Sequence, residues 1–318
     1  MTAKAQRPDA KPKKQEALRV VEREEVVPSI THSLLKAAKT AAKDANISLM
    51  LVCAGSPQLI STVEGALDVS NCILAADEDL LTDDIKSKFA KFVDLPSINL
   101  TRLGQIKVAV LLALAKGLID ADDTLICLTG QPKSSQLDTL MLISVKDEFE
   151  LFTPGVELLG EDIKPEVFEQ LVEVAIQLAV EGREGRPVGT MFVIGDYENV
   201  KGYVTQLVLN PFAGYDESIR NVLNPQLTET IKEFSSIDGA FIVRGDGVIE
   251  SAGSYIHSYI QPGGLKVEVP MGLGARHVAA ASITAVTKAT AITVSASTGT
   301  VRIFKNGKIV MEIERPRV

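Results

Sequence analysis

The sequence predicts two domains of different class. Residues 27–150 read as an α/β domain with a mostly parallel sheet, and residues 155–318 as an α+β domain with a mixed sheet flanked by helices. Three observations carry this. From Val27 to Val145 short, continuous apolar runs alternate with helix-like stretches, the pattern of a sheet covered on both faces. Pro154-Gly155 then marks a turn, and Pro165 suits the first position of a new helix. Beyond it strand candidates come in pairs joined by turn residues, at Gly245-Asp246-Gly247 and Asn306-Gly307.

Residues 1–26, "MTAKAQRPDAKPKKQEALRVVEREEV", are too polar and charged to bury a core and read as a flexible tail. In the first domain the helix "HSLLKAAKTAAKDA" precedes the strand "ISLMLVCA", and "PQLISTVEGAL" precedes "CILAA". "LLTDDIKSKFAKFV" has helical spacing and precedes the short strand "SINL". "GQIKVAVLLALAKGL" precedes "TLICLTG", and "LDTLMLISV" closes the series. In the second domain "PEVFEQLVEVAIQLAVEG" repeats apolar residues at helical spacing. The strands "VGTMFVIGD" and "TQLVLNPF" follow, then the helix "PQLTETIKEFSSI" and the hairpin "DGAFIVRGDGVIESAG". After the helix "ARHVAAASITAVTKA" the chain ends in strands from Ala291 to Glu314.

Bulk properties narrow the function. The 318 residues are 46% hydrophobic, enough for real cores, and a net charge of −8 argues against a basic nucleic-acid surface. The run Val108–Ala115 is bounded by Lys107 and Lys116 and is too short to span a bilayer. No secretory signal is visible, so a cytoplasmic protein without a membrane partner is expected. Cys53, Cys72 and Cys127 lack metal-ligand spacing and read as buried, reduced thiols.

Most catalytic motifs are missing. The sequence has no GxxxxGK[ST] loop, no HExxH and no nucleophile elbow, and "GLGARH" departs from GxGxxG at His277. His32 and His257 have no ligand-like neighbours. Two motifs hold. Asp238-Gly239-Ala240 places an acid just before an apolar strand, where a carboxylate can ligate a hard cation. Its small neighbours let a flat ligand approach the backbone. Gly272-Leu273-Gly274-Ala275-Arg276-His277 leads a glycine-rich backbone into a helix. Unpaired N–H groups, the helix dipole and the Arg276 fork then suit phosphate oxygens, with His277 as a further donor, cationic beside a triphosphate.

In order, "DGAFIV", "GARHVAAASIT" and "VSASTG" resemble the diadenylate cyclase family, whose members carry DGA, GTRHRAA and VSEETG motifs. The resemblance covers Val188 to the C-terminus. The first domain is similar, through its order of elements and its "DTLICLTG…DTLMLISV" ending, to the C-terminal domain of pyruvate kinase. This pairing looks like the stand-alone archaeal type. The resemblance implies condensation of two ATP into cyclic di-AMP with release of two pyrophosphates, and a homo-oligomer in which two protomers meet face to face. It implies Asp238, Arg276 and His277 as catalytic residues, and Asp238 as ligand of Mn²⁺ or Mg²⁺. It implies ATP contacts from Gly239, Ala240, Leu273, Gly274, Ala275, Arg276, His277, Ser295 and Thr298. The chain departs from the family at Ala275, where the motif has Thr, at Val278, where it has Arg, and at Ala296 and Ser297, where it has two glutamates. A nucleotide-binding sensor without turnover is the alternative these departures raise. A scaffold whose first domain does the work is another.

Overall fold

The computed structural model describes residues 30–148, 158–257 and 272–315. The expected tail over 1–26 and the Pro154-Gly155 turn lie outside them. A first helix, α1, covers residues 30–45. There follow β1 (Leu49–Ala54), α2 (Pro57–Ala66), β2 (Cys72–Asp77), α3 (Asp83–Lys88), β3 (Lys91–Leu95), α4 (Arg102–Ala115), β4 (Thr124–Thr129), β5 (Thr139–Ser144) and the short α5 (Val145–Glu148). Local chemistry sets the helix starts. The Ser56 side chain accepts a hydrogen bond from the Leu59 N–H at 3.2 Å, with Pro57 opening α2. Thr101 caps α4 through the Gly104 N–H at 3.0 Å.

These strands form one sheet in the order β3-β2-β1-β4-β5. The pairs β1–β2, β2–β3 and β1–β4 are parallel, whereas β4–β5 is antiparallel. The sheet is therefore mixed, because β5 returns beside β4 without a crossover helix between them. A second departure concerns residues 89–95. The expected helix over 80–93 stops at Lys88, and the third strand is Lys91–Leu95 rather than Ser97–Leu100. Phe89 and Val93 are fully buried, and the Val93 row pairs in parallel with Ala75. Burial against β2 outweighs a helical spacing that Leu81, Ile85 and Phe89 satisfy equally well.

Side chains alternate across the sheet. Val52, Leu74 and Ile126 pack towards α1 and α2 with Leu35 and Ile60. Leu51, Ile73, Val93 and Cys127 pack on the other face with Ile106 and Val110 of α4. All three cysteines are free and buried, and burial pushes the Cys53 and Cys72 thiols up to about 12.

The second sheet is built from β6 (Thr190–Ile194), β7 (Val204–Gln206), β8 (Ala240–Val243), β9 (Ile249–Ile256), β10 (Thr290–Val294), β11 (Val301–Lys305) and β12 (Lys308–Ile313). Its order is β12-β11-β10-β6-β8-β9-β7. Only β6–β8 is parallel, so this domain is α+β with a mixed sheet. β7 is shorter than the run "TQLVLNPF" suggested: Leu209 is 97% exposed, so apolar composition there does not reflect a buried strand. The helices are α6 (Pro165–Glu181), the short α7 (Tyr197–Val200), α8 (Thr228–Phe234) and α9 (Ala275–Val286). α6 covers one face, with Phe192, Phe241 and Ile292 beneath it. α9 covers the other, its Ala279, Ala280 and Ile283 packed on Val193, Ile242 and Ala291. The α4 and α6 cores are continuous, so the two sheets share one apolar cluster. No helix among the described residues is long and apolar enough to cross a membrane.

Candidate active site

Strand direction brings the candidate residues together. β6 and β8 run parallel, and β10 runs antiparallel to β6, with Thr190 opposite Val294. The start of β6, the start of β8 and the end of β10 therefore share one end of three adjacent strands. Gly189 precedes β6, Asp238 lies two residues before β8, and Ser295 follows β10.

The Asp238 carboxylate is presented because the backbone behind it is crowded. Gly239 has φ +121°, and a Cβ there would lie 2.6 Å from the Gly253 carbonyl carbon. Only glycine fits a backbone in this region pressed so closely on β9. The Asp238 side chain is 85% exposed. Ala240, two residues on, is fully buried, so its methyl belongs to the core and only its backbone borders the site.

Gly274 is the N-cap of α9 and offers no side-chain cap, which leaves the Ala275 and Arg276 N–H groups to outside acceptors. Gly274 and Ala275 are exposed and Leu273 is half-buried. Arg276 reaches back across the sheet end, and its Nη2 donates to Asp238 Oδ1 at 2.8 Å. Its Nη1 lies over Gly189, where a Cβ would stand 2.9 Å from Nη1 and 3.1 Å from the Ala296 methyl. Sequence reasoning missed Gly189. Its signal was a small residue just before a strand, which nothing in the sequence ties to Arg276.

His277 is placed differently from the cationic, ligand-facing donor that its motif suggested. It is 6% exposed and turned inward, its ring centroid 6.1 Å from that of Phe304. Nε2 lies 3.1 Å from Arg302 Nη1. Burial first, and then the neighbouring Arg302 charge, hold its pKa below the usual imidazole value, so the ring is neutral near pH 7. Arg302, paired with Glu312, was also missed, because their meeting depends on the register of β11 with β12.

Ser295 and Thr298 lie in the turn after β10. Ser295 Oγ accepts from the Thr298 N–H at 3.3 Å, and Thr298 Oγ1 donates to Thr300 Oγ1 at 2.8 Å. Arg276 Nε, at the start of α9, is buried and has no partner among the described residues. A buried polar group left unpaired costs about 1–3 kcal/mol. No cluster of three or more His, Cys, Asp or Glu that could hold a metal ion occurs among the described residues. A metal here would rest on the single carboxylate of Asp238 and on oxygens supplied by a substrate, an arrangement that suits Mg²⁺-like ions.

Comparison with known proteins agrees with this layout. The family model described as DisA bacterial checkpoint controller nucleotide-binding matches residues 177–309, which hold the whole sheet end just described. The C-terminal domain is thus a nucleotide-binding domain of that type. Over 216 residues the chain is 41% identical to a protein of Methanocaldococcus jannaschii named diadenylate cyclase, covering 66% of each chain. It is 36% identical over 228 residues to the diadenylate cyclase of Haloferax volcanii, covering 70% of this chain and 80% of that one. The chain belongs to the diadenylate cyclase family. Among solved structures, the DacA double mutant of Staphylococcus aureus is similar over 45% of this chain and 84% of its own, at 21% identity and a TM-score of 0.29. The N-terminal part corrects one expectation. Residues 31–153 match a model described as the probable sensor domain DacZ_P, in place of the pyruvate kinase C-terminal domain.

Proposed function

We propose that this chain condenses two ATP into cyclic di-AMP with release of two pyrophosphates. The observation that carries the proposal is the start of α9. The uncapped α9 backbone and the Arg276 guanidinium meet there, beside an exposed carboxylate at the same sheet end. That combination suits an anionic ligand with a reacting phosphorus, and because the relatives are named diadenylate cyclases we take that ligand to be ATP.

In this reading the 3′-hydroxyl of one ATP attacks the α-phosphorus of another, pyrophosphate leaves, and the exchange repeats between the pair. Arg276 and the α9 N–H groups hold the triphosphate and offset its charge. Asp238 and Arg276 neutralise one another in the free protein, so a triphosphate competes with Asp238 for the guanidinium. Gly239, Ala240, Leu273, Gly274 and Ala275 let the nucleotide approach backbone. Ser295 and Thr298 offer hydroxyls beside it. Asp238 is the proposed ligand of Mn²⁺ or Mg²⁺, which when bound polarises the α-phosphate. Each site holds one ATP, so two protomers face each other in the active pair. We assign residues 27–150 to regulation and 155–318 to chemistry, in a cytoplasmic protein.

A second reading has its own support. Ala296 leaves no carboxylate where the family motif has one, next to Arg276, and this favours a nucleotide-binding sensor without turnover as the second reading. Incubation of the purified chain with ATP and Mn²⁺, with mass detection of product, separates the two. Cyclic di-AMP supports the enzyme, and bound but unconverted ATP supports the sensor.

A further inference from the structure

We propose that the crevice at the carboxyl ends of β1 to β4 is a second nucleotide site, built for a mononucleotide and separate from the sheet end around Asp238. The proposal does not rest on the cyclase reading.

Topology opens the crevice. β1, β2, β3 and β4 run parallel, so their carboxyl ends share one edge, with β1 between β2 and β4. α2, which leads from β1 to β2, packs on one face of the sheet. α4, which leads from β3 to β4, packs on the other. Chain segments that leave neighbouring strands towards opposite faces part at the strand ends, and open α/β sheets take their ligands in that gap. Here it is a cavity of about 400 Å³, bordered by Gly55 after β1, Asp77 at the end of β2, Gln105 of α4 and Lys133 after β4. Small-molecule sites span roughly 300–1,000 Å³.

The lining supplies each part of a nucleotide with a partner. Asp77 is half-buried, and its Oδ1 accepts the Asp79 N–H at 3.2 Å, which leaves Oδ2 for hydroxyls. An acid at the end of the second strand, about twenty residues past the first βα turn, is placed to take a ribose diol. Leu80, Leu95, Pro96 and Ile98 border the cavity with half-buried apolar surface that suits a flat base. Gln105 is 9% exposed, and its Nε2 donates to the Gly130 carbonyl at 3.1 Å. That bond fixes the amide, and Oε1 is left without a partner among the described residues, as an acceptor for a ligand donor. Lys133 is exposed, has no partner among the described residues and is the one cation on the lining. Its loop is pressed on β1: a Cβ at residue 55 would stand 2.8 Å from the Lys133 N, so Gly55 is needed there. The α2 start adds no pyrophosphate cradle, because Ser56 caps the Leu59 N–H and Pro57 has no N–H to offer. One cation without that cradle fits a single phosphate, and so a mononucleotide rather than a dinucleotide.

The test is photolabelling of the full chain with 8-azido-AMP in the absence of metal, with the labelled peptides mapped by mass spectrometry. Label is expected between Leu80 and Leu100, and it should survive Arg276→Ala, which weakens the other site. Label confined to residues 238–298 overturns the proposal. Calorimetric titration in the Arg276→Ala chain then reads the contacts. Lys133→Gln should weaken AMP about tenfold and leave adenosine, which lacks the phosphate, unchanged. Asp77→Ala should weaken AMP about tenfold and leave 2′,3′-dideoxy-AMP unchanged. NAD should bind no more tightly than AMP. AMP affinity that neither variant changes, or equal losses for AMP and adenosine in Lys133→Gln, overturns the site. The Lys133 side chain holds nothing in the fold, so Lys133→Gln decides the matter even if Asp77→Ala does not fold. Conversion of ATP is read separately, and its absence would leave this result standing.

Discussion

Arg276 pairs with Asp238 in the free protein and carries the guanidinium proposed to meet phosphate, and the second role sets its expected weight. The pair with Asp238 is largely solvent-exposed and contributes little to stability. A charged hydrogen bond to bound phosphate contributes about 1.5–3 kcal/mol. Arg276→Ala should therefore weaken ATP binding roughly ten- to hundred-fold. The loss should be larger for ATP than for AMP, as calorimetric titration of both nucleotides will read; equal losses would move Arg276 to the adenosine. His277 gives a pH signature. Its folded pKa lies below the ordinary value, so the unfolded chain binds this proton more readily. Stability from this group is present above about pH 6.5 and is lost as pH falls towards the folded pKa. Denaturant titrations at pH 7 and pH 5 should show a larger loss in wild type than in His277→Asn.

Among the elements, the turn from Asp238 into β8 is the most constrained. Gly239→Ala puts a side chain at φ +121° and within 2.6 Å of the β9 backbone. Backbone strain of this kind costs about 1–3 kcal/mol, so a fall of several degrees in Tm is expected in thermal denaturation. This turn and the α9 start were legible because their chemistry is local: glycine, acid, apolar strand; glycine, cation, Ala-rich helix. Two elements were less so. Residues 89–95 carry a spacing that suits a helix, and only pairing with β2 makes Lys91–Leu95 a strand. β5 reads like any buried strand, and its antiparallel direction follows from the short return from β4. Arg302 and Glu312 were silent for the same reason, since register cannot be read from composition.

At the scale of the molecule, the two sheets are tied by α4 and α6. Lys116 Nζ stands 3.3 Å from both Asp94 Oδ2 and Glu169 Oε2, and the second oxygen of each carboxylate is buried without a partner among the described residues. Nothing in the sequence pointed to this bridge, because it joins residues of different domains. Burial raises the Glu169 pKa. Lys116→Met should cost about 1–2 kcal/mol near neutral pH, less than a fully buried pair because Asp94 is 38% exposed. The cost should shrink as pH falls and Glu169 takes up its proton, a trend that denaturant titration from pH 7 to pH 5 will follow.

The central claim is that the sheet end around Asp238 performs nucleotidyl transfer. The most direct measurement is product formation from ATP and Mn²⁺ by wild type and Asp238→Asn side by side, with circular dichroism to confirm equal folding. The substitution nearly preserves volume and removes the charge a hard cation requires. Wild type should form cyclic di-AMP, and Asp238→Asn should lose at least about a hundred-fold, some 2.7 kcal/mol in the barrier, at every metal concentration. Near-wild-type turnover by a folded Asp238→Asn protein would contradict that claim.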